Sequence, residues 1–141
     1  MLLGTVGGTL AYGQAKWWQD GFTGDFKAVN EGWFGQGTAY GGADKLGHAM
    51  SAYAGTRLLA RAYEWAGHDR TRALQWGMWT MVGTLLAVEV IDGYSKDWSF
   101  SKEDAVADLV GGALGYWMET QPELDALIDF RLQYSPSTGP E

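Results

Sequence analysis

The chain has 141 residues, 46% of them hydrophobic and 19% charged, with a net charge of −7. That supplies apolar material for one core and too few charges for a disordered chain, and the acidic balance excludes nucleic acid as a partner, because phosphate neutralisation needs clustered Lys and Arg. With no Cys there is no disulfide framework, thiolate metal site or cysteine nucleophile.

In chain order, residues 2–18 read as a first helix without a basic n-region, which makes them a poor secretory signal. Residues 20–41 read as an irregular connection carrying Gly at 21, 24, 32, 35, 37 and 41, expected to pack over one end of the molecule. A second helix is expected over 43–66, stopped by Gly67, and a third over 71–91, stopped by Gly93. Ser101 reads as an N-cap, with Asp104 three residues on approximating a capping box, and the fourth helix runs to Thr120. Pro122 opens a short fifth helix over 123–134, where proline is tolerated in the first turn. The polar tail 135–141 follows. No proline precedes Pro122, so nothing breaks the earlier helices. The fold class is all-α: a compact bundle of about five helices in one domain, 1–134, with a long Gly/Trp-rich loop after the first.

The longest uncharged run after the N-terminus, 73–88, falls short of the roughly 20 residues of a spanning helix. Mean hydropathy is −0.20, so the chain reads as membrane-associated rather than fully spanning. Trp17, Trp18, Trp76 and Trp79 are the candidates for a membrane surface, although tryptophan serves equally in soluble cores. Arg57, Arg61, Arg70 and Arg72 form a local positive region that suits either a solvated helix end or anionic headgroups. His68 reads as a solvated loop residue.

Two helices share a small-residue pattern at four-residue spacing: Gly47, Ser51 and Gly55 on the second, Ala107, Gly111 and Gly115 on the fourth. Such stripes let helix backbones approach closely. An interior Gly costs up to about 1 kcal/mol of helix propensity, and a tight helix pair would offset it.

Asp44 and His48 lie one turn apart beside Lys45. Glu89 and Asp92 end the most apolar helix, and Asp104 and Asp108 repeat the one-turn spacing after Ser101. Acids in such apolar surroundings must be bonded or paired. Three readings stand. In the first, His48, Glu89 and Asp108 form a buried network that fixes helix register. In the second, His48 with Asp44, Glu89 and one of Asp104 or Asp108 supplies nitrogen and oxygen ligands to a divalent metal in a bundle core. In the third, His48 is a general acid/base oriented by a carboxylate, with Lys45 holding an anionic group.

The run Gly42-Ala-Asp-Lys-Leu-Gly-His48, then Glu89-Val-Ile-Asp-Gly-Tyr-Ser95, then Trp98-Ser-Phe-Ser101 with Asp104, resembles the YfiM-type predicted periplasmic lipoproteins. These are a bacterial envelope family of unknown function. The stretch ending in Glu31-Gly-Trp-Phe34 is also similar, so the likeness covers about 17–117. More distantly, the Asp-Lys-x-x-His element and later Glu are similar to VanZ-like membrane proteins. The resemblance implies a helical, periplasm-facing, membrane-associated envelope domain in contact with a membrane surface or lipid, and no known reaction. The positions that match are Asp44, Lys45, His48, Glu89, Asp92, Gly93, Ser101 and Asp104. Two departures stand out: Asp108 occupies a position that is usually Asn, and no Cys is present for a lipobox. The expected role is binding or structural, the alternative being a metal-dependent or His-assisted hydrolase or transferase acting on a lipid or cell-wall precursor.

Overall fold

Helices α2 (Ala43–Trp65), α3 (Arg70–Tyr94) and α4 (Lys102–Thr120) form the body of the molecule, each packed on the other two. The structure is a computed structural model and describes residues 2–35 and 37–128. A first helix, α1 (Leu2–Lys16), lies against α3, and a six-residue α5 (Pro122–Leu127) folds back on α4. The all-α bundle of five helices is as expected. One small addition is a parallel pair of two-residue strands, β1 (Ala28–Val29) and β2 (Phe100–Ser101), which ties the glycine-rich loop to the segment before α4.

Local chemistry explains most boundaries. Gly42 precedes α2 at φ 90°, and a Cβ there would strike the Trp33 carbonyl oxygen and the Phe34 ring, so only glycine fits. Gly67, at φ 95°, follows the end of α2 as expected. Asp69 caps α3, its carboxylate accepting the Arg72 N–H at 3.1 Å. Ser101 caps α4 by accepting the Asp104 N–H at 3.3 Å.

Two boundaries differ from expectation. Gly93 does not stop α3; it lies buried within the helix, and the Phe26 ring from the loop occupies the space a side chain would take. A glycine ends a helix by taking the left-handed conformation, which Gly93 does not; its missing side chain makes room for the ring instead. Helix α3 therefore runs 25 residues and is the one helix among the described residues long and apolar enough to cross a membrane. The uncharged run in the sequence underestimates it because Glu89 and Asp92 turn inward instead of ending the helix. Helix α5 is also shorter than expected: it ends at Leu127, before an extended Ile128. The rest of the expected span, together with the tail 135–141, lies outside the described residues.

The small-residue stripes meet unequally. On α4, a Cβ at Gly111 would overlap the Ala49 carbonyl, and one at Gly115 would lie 2.7 Å from the Tyr53 carbonyl oxygen. Those glycines do bring α4 onto α2. On α2 the facing residues are instead Ala49, Tyr53 and Thr56. Gly47 meets nothing within 4 Å, Ser51 is exposed, and Gly55 faces Met81 of α3. The expected Gly47–Ser51–Gly55 face is thus rotated away from α4. A third glycine, Gly77 of α3, makes the matching approach to α2: a Cβ there would lie 2.6 Å from the Ala60 nitrogen.

The loop 20–41 packs over one end of the body, as expected. Tyr94 and Gly93 at the end of α3 accept the N–H groups of Thr23 and Lys27, both at 2.7 Å, and Lys27 accepts the Phe100 N–H at 2.9 Å. This accounting predicts opposite responses to one chemical change. Gly111→Ala should lower stability by about 3 kcal/mol, because overpacking against backbone cannot relax through a rotamer. Gly83→Ala, in open space on the exposed side of α3, should raise it by up to about 1 kcal/mol through helix propensity. Thermal unfolding followed by circular dichroism measures both.

Candidate functional site

Three helix ends meet beneath the loop: the first turns of α2, the last of α3 and the first of α4. The sequence candidates sit there together. Asp44, Lys45 and His48 come from α2, Glu89 and Asp92 from α3, and Asp104 and Asp108 from α4, with Ser101 as the cap of α4.

His48 is the hinge of the arrangement. Its Nδ1 lies 3.1 Å from Asp108 Oδ1, and its Nε2 lies 3.9 Å from Glu89 Oε1. An ionised carboxylate only accepts, so Nδ1–H donates to Asp108 and Nε2 is left turned toward Glu89. Asp108 is 0% exposed. Its second oxygen, Oδ2, is buried without a hydrogen-bond partner.

Lys45 forms the second node. It is only 2% exposed, and its ammonium is held by Glu31, by Asp104 at 2.9 Å and by Asp44 at 3.3 Å. All this burial and pairing leaves no free cation for an anionic substrate, so the role of Lys45 as an anion holder is corrected. Its positive charge instead neutralises part of an acidic pocket.

Glu89 and Ser101 explain why Asp104 is available to Lys45. In a capping box the acid would reach back to the N–H of the cap residue. Here Glu89 Oε2 accepts the Ser101 N–H at 3.2 Å, while Asp104 turns to Lys45. One acid closes the cap from another helix, and the other is freed. Asp92 stands slightly apart and accepts the indole N–H of Trp18 at 2.5 Å.

A cavity of about 500 Å³ opens beside these groups. Its polar wall carries Glu31, Asp44, His48, Glu89, Asp92 and Asp104, and its apolar wall Trp17, Leu85, Val88 and Trp98. Ligand atoms of His48, Glu89 and Asp108 lie within 4.8 Å of one another, as do those of Asp44, His48 and Asp104. Either set could hold a metal ion through one imidazole nitrogen and carboxylate oxygens. Glu31 was missed by sequence reasoning. Its only signal was the aromatic, acidic segment it belongs to, because loop geometry alone decides that it reaches Lys45.

The tryptophans divide. Trp17, Trp76 and Trp79 are exposed. Trp18, expected at a membrane surface, is 2% exposed and is corrected to a core residue, its ring lying over Gly13 and its nitrogen on Asp92. At the opposite end of the body, Arg57 and Arg70 are paired with Glu119, and Arg57 also with Asp125 at 2.6 Å. Of the four arginines, only Arg61 and Arg72 remain largely exposed.

The charge balance predicts that Lys45→Met is severe. Removing the ammonium leaves Glu31, Asp44 and Asp104 facing one another, and breaking one side of a buried ion pair costs about 3–5 kcal/mol. A melting temperature unchanged within error would refute this account of the pocket.

Residues 30–120 match the family described as "Predicted periplasmic lipoprotein (DUF2279)". No curated protein and no solved structure matches the chain at a significant level. The matched segment holds every residue of the acidic cluster, from Glu31 to Asp108. The chain belongs to this family of predicted periplasmic lipoproteins and is a membrane-associated, periplasm-facing protein of the bacterial envelope.

Proposed function

We propose that the protein is an envelope binding protein whose interhelical cluster takes a divalent cation, with His48 and Glu89 as its central ligands. The observation that carries this reading is Asp108 Oδ2, a fully buried carboxylate oxygen with no hydrogen-bond partner next to an imidazole and a second buried acid. A buried carboxylate is costly unless neutralised or bonded. Around Lys45 and His48 the acids outnumber the cationic groups, with Glu31, Asp44 and Asp104 on the lysine and Glu89 and Asp108 on the histidine. A divalent ion relieves that excess. The mixed nitrogen and oxygen donors favour Zn²⁺ or Mn²⁺ over Ca²⁺, which takes oxygen alone. Asp108, by accepting Nδ1–H, supports the orientation of Nε2 as a ligand in the way that carboxylates support metal-bound histidines elsewhere.

Dialysis against Zn²⁺ or Mn²⁺ followed by elemental analysis should find one equivalent per chain, and neither His48→Ala nor Glu89→Gln should retain it. Metal at a hundredfold excess over Kd should add about 2.7 kcal/mol of stability. No bound metal, or equal binding by His48→Ala, would overturn the proposal.

A second reading draws on the apolar wall of the cavity. Trp17, Leu85, Val88 and Trp98 beside the acids suit an amphiphile, with its polar head against the cluster. A metal-activated water there would make the protein a hydrolase of lipid or cell-wall precursor esters. Metal-dependent release of headgroup from a labelled lipid, abolished in Glu89→Gln, would support that activity, and its absence at saturating metal would leave binding alone.

A further inference from the structure

The outer faces of the three-helix body carry an unusual distribution of charge. Within 47–60 of α2, 73–93 of α3 and 104–118 of α4, no exposed residue is charged. Apart from Ser51 and Gln75, every exposed residue in those stretches is apolar or glycine. On α2 the outward face carries Ala54 and Leu58, and on α3 Trp76, Trp79 and Val90. On α4 it carries Val106, Leu109, Val110 and Trp117. The ionisable groups of the same stretches all turn inward: His48, Arg57, Glu89, Asp92, Asp104 and Asp108 meet partners on another helix, at the cap of α4 or, for Asp92, at Trp18 after α1.

A water-facing surface normally has about a quarter to a third of its residues charged, and contiguous exposed apolar patches beyond a few hundred Å² mark an interaction site. The dimensions point to the partner. At 1.5 Å per residue the uncharged face of α3 runs about 30 Å along the helix axis, close to the roughly 30 Å hydrocarbon core of a bilayer, and those of α2 and α4 run about 20 Å within it. Exposed charge returns at both ends, with Arg61 and Arg72 at one and Asp97 and Lys102 at the other. Helix α1, uncharged until Lys16 and mostly exposed, continues the same surface beside α3. Close packing through Gly77, Gly111 and Gly115 is the contact that works between helices in lipid, where no hydrophobic drive holds them together.

We propose that this belt is immersed in a lipid bilayer, so that α2, α3 and α4 are embedded in the membrane and the acidic cluster lies inside the bundle near one membrane face. This goes beyond the family's envelope location, because it assigns the lipid contact to the helical body itself. It is independent of whether the cluster binds metal. Ionisable groups in such a body are expected to face its interior and pair there, as these do.

These 141 residues contain no Cys, which permits a direct test. Single variants Leu58→Cys, Trp79→Cys and Leu109→Cys, with Arg72→Cys and Asp97→Cys as end controls, are spin-labelled in the full chain. They are then reconstituted into phosphatidylethanolamine–phosphatidylglycerol vesicles, with helix content checked by circular dichroism. The expected result is high collision with oxygen and low collision with an aqueous nickel chelate at the belt positions, and the reverse at Arg72→Cys and Asp97→Cys. High nickel access at the belt would place those helices in water and overturn the proposal. Low access to both reagents would mean that another protein surface covers the belt, which also overturns it. Three belt positions on three helices keep the outcome readable if one variant fails to fold.

Discussion

The contact between the α4 backbone at Gly111 and the α2 backbone at Ala49 is the constraint from which the rest of the molecule follows. No side chain fits between them. Ala49 is the neighbour of His48 in the chain, and Asp108 lies one turn before Gly111 on the same helix. Bringing the two backbones together therefore brings Asp108 to within 3.1 Å of His48 Nδ1. Gly77 does the same for α3 against Ala60, and the third helix delivers Glu89 to the other side of the imidazole. A methyl group at Gly111 would separate α2 from α4 and loosen the His48–Asp108 pair, so packing and site geometry are one property here.

Charge is managed by enclosure. Lys45 is surrounded by three carboxylates drawn from the loop, its own helix and α4, so it links the covering loop to the helical body. Glu89 closes the N-terminus of α4 by accepting the Ser101 N–H, a task that a local acid performs in an ordinary capping box. Each acid thus has a structural duty. Asp108 keeps a buried oxygen without a hydrogen-bond partner beside the imidazole, and no lysine or arginine is paired with it as Lys45 is with Asp104. In a low-dielectric interior that imbalance is the strongest local incentive for a bound cation.

The same body encloses its charged side chains beside an apolar core and turns uncharged faces outward along the middle stretches of α2, α3 and α4. Mean hydropathy conceals this, because it averages the enclosed acids and the glycine-rich loop with the outward Trp, Leu and Val residues. Glu119 with Arg57 and Arg70 at one end, and the Lys45 and His48 groups at the other, use up most of the charge of the core helices in internal pairs. An envelope protein built this way carries its polar site inside its own walls, with Trp17 and Trp98 in the lining of the cavity.

The order and type of the helices were legible in the sequence, because helix caps and periodicity are local: Gly67, Ser101 and Pro122 each mark a boundary through the chemistry of one or two neighbours. The identity of the cluster was legible for the same reason, since one-turn spacing fixes which residues share a helix face. What failed depended on neighbours distant in the chain. Gly93 stays inside α3 because Phe26 packs on it, Trp18 is buried because Asp92 receives its N–H, and Lys45 is sequestered because Glu31 arrives from the loop. The sequence by itself determined helices, their caps and the stock of acids and imidazole. Which glycines touch, which acid meets which cation and which faces stay uncovered were decided only by tertiary structure, since those depend on how helices rotate about their axes as they pack, and no local rule sets that angle.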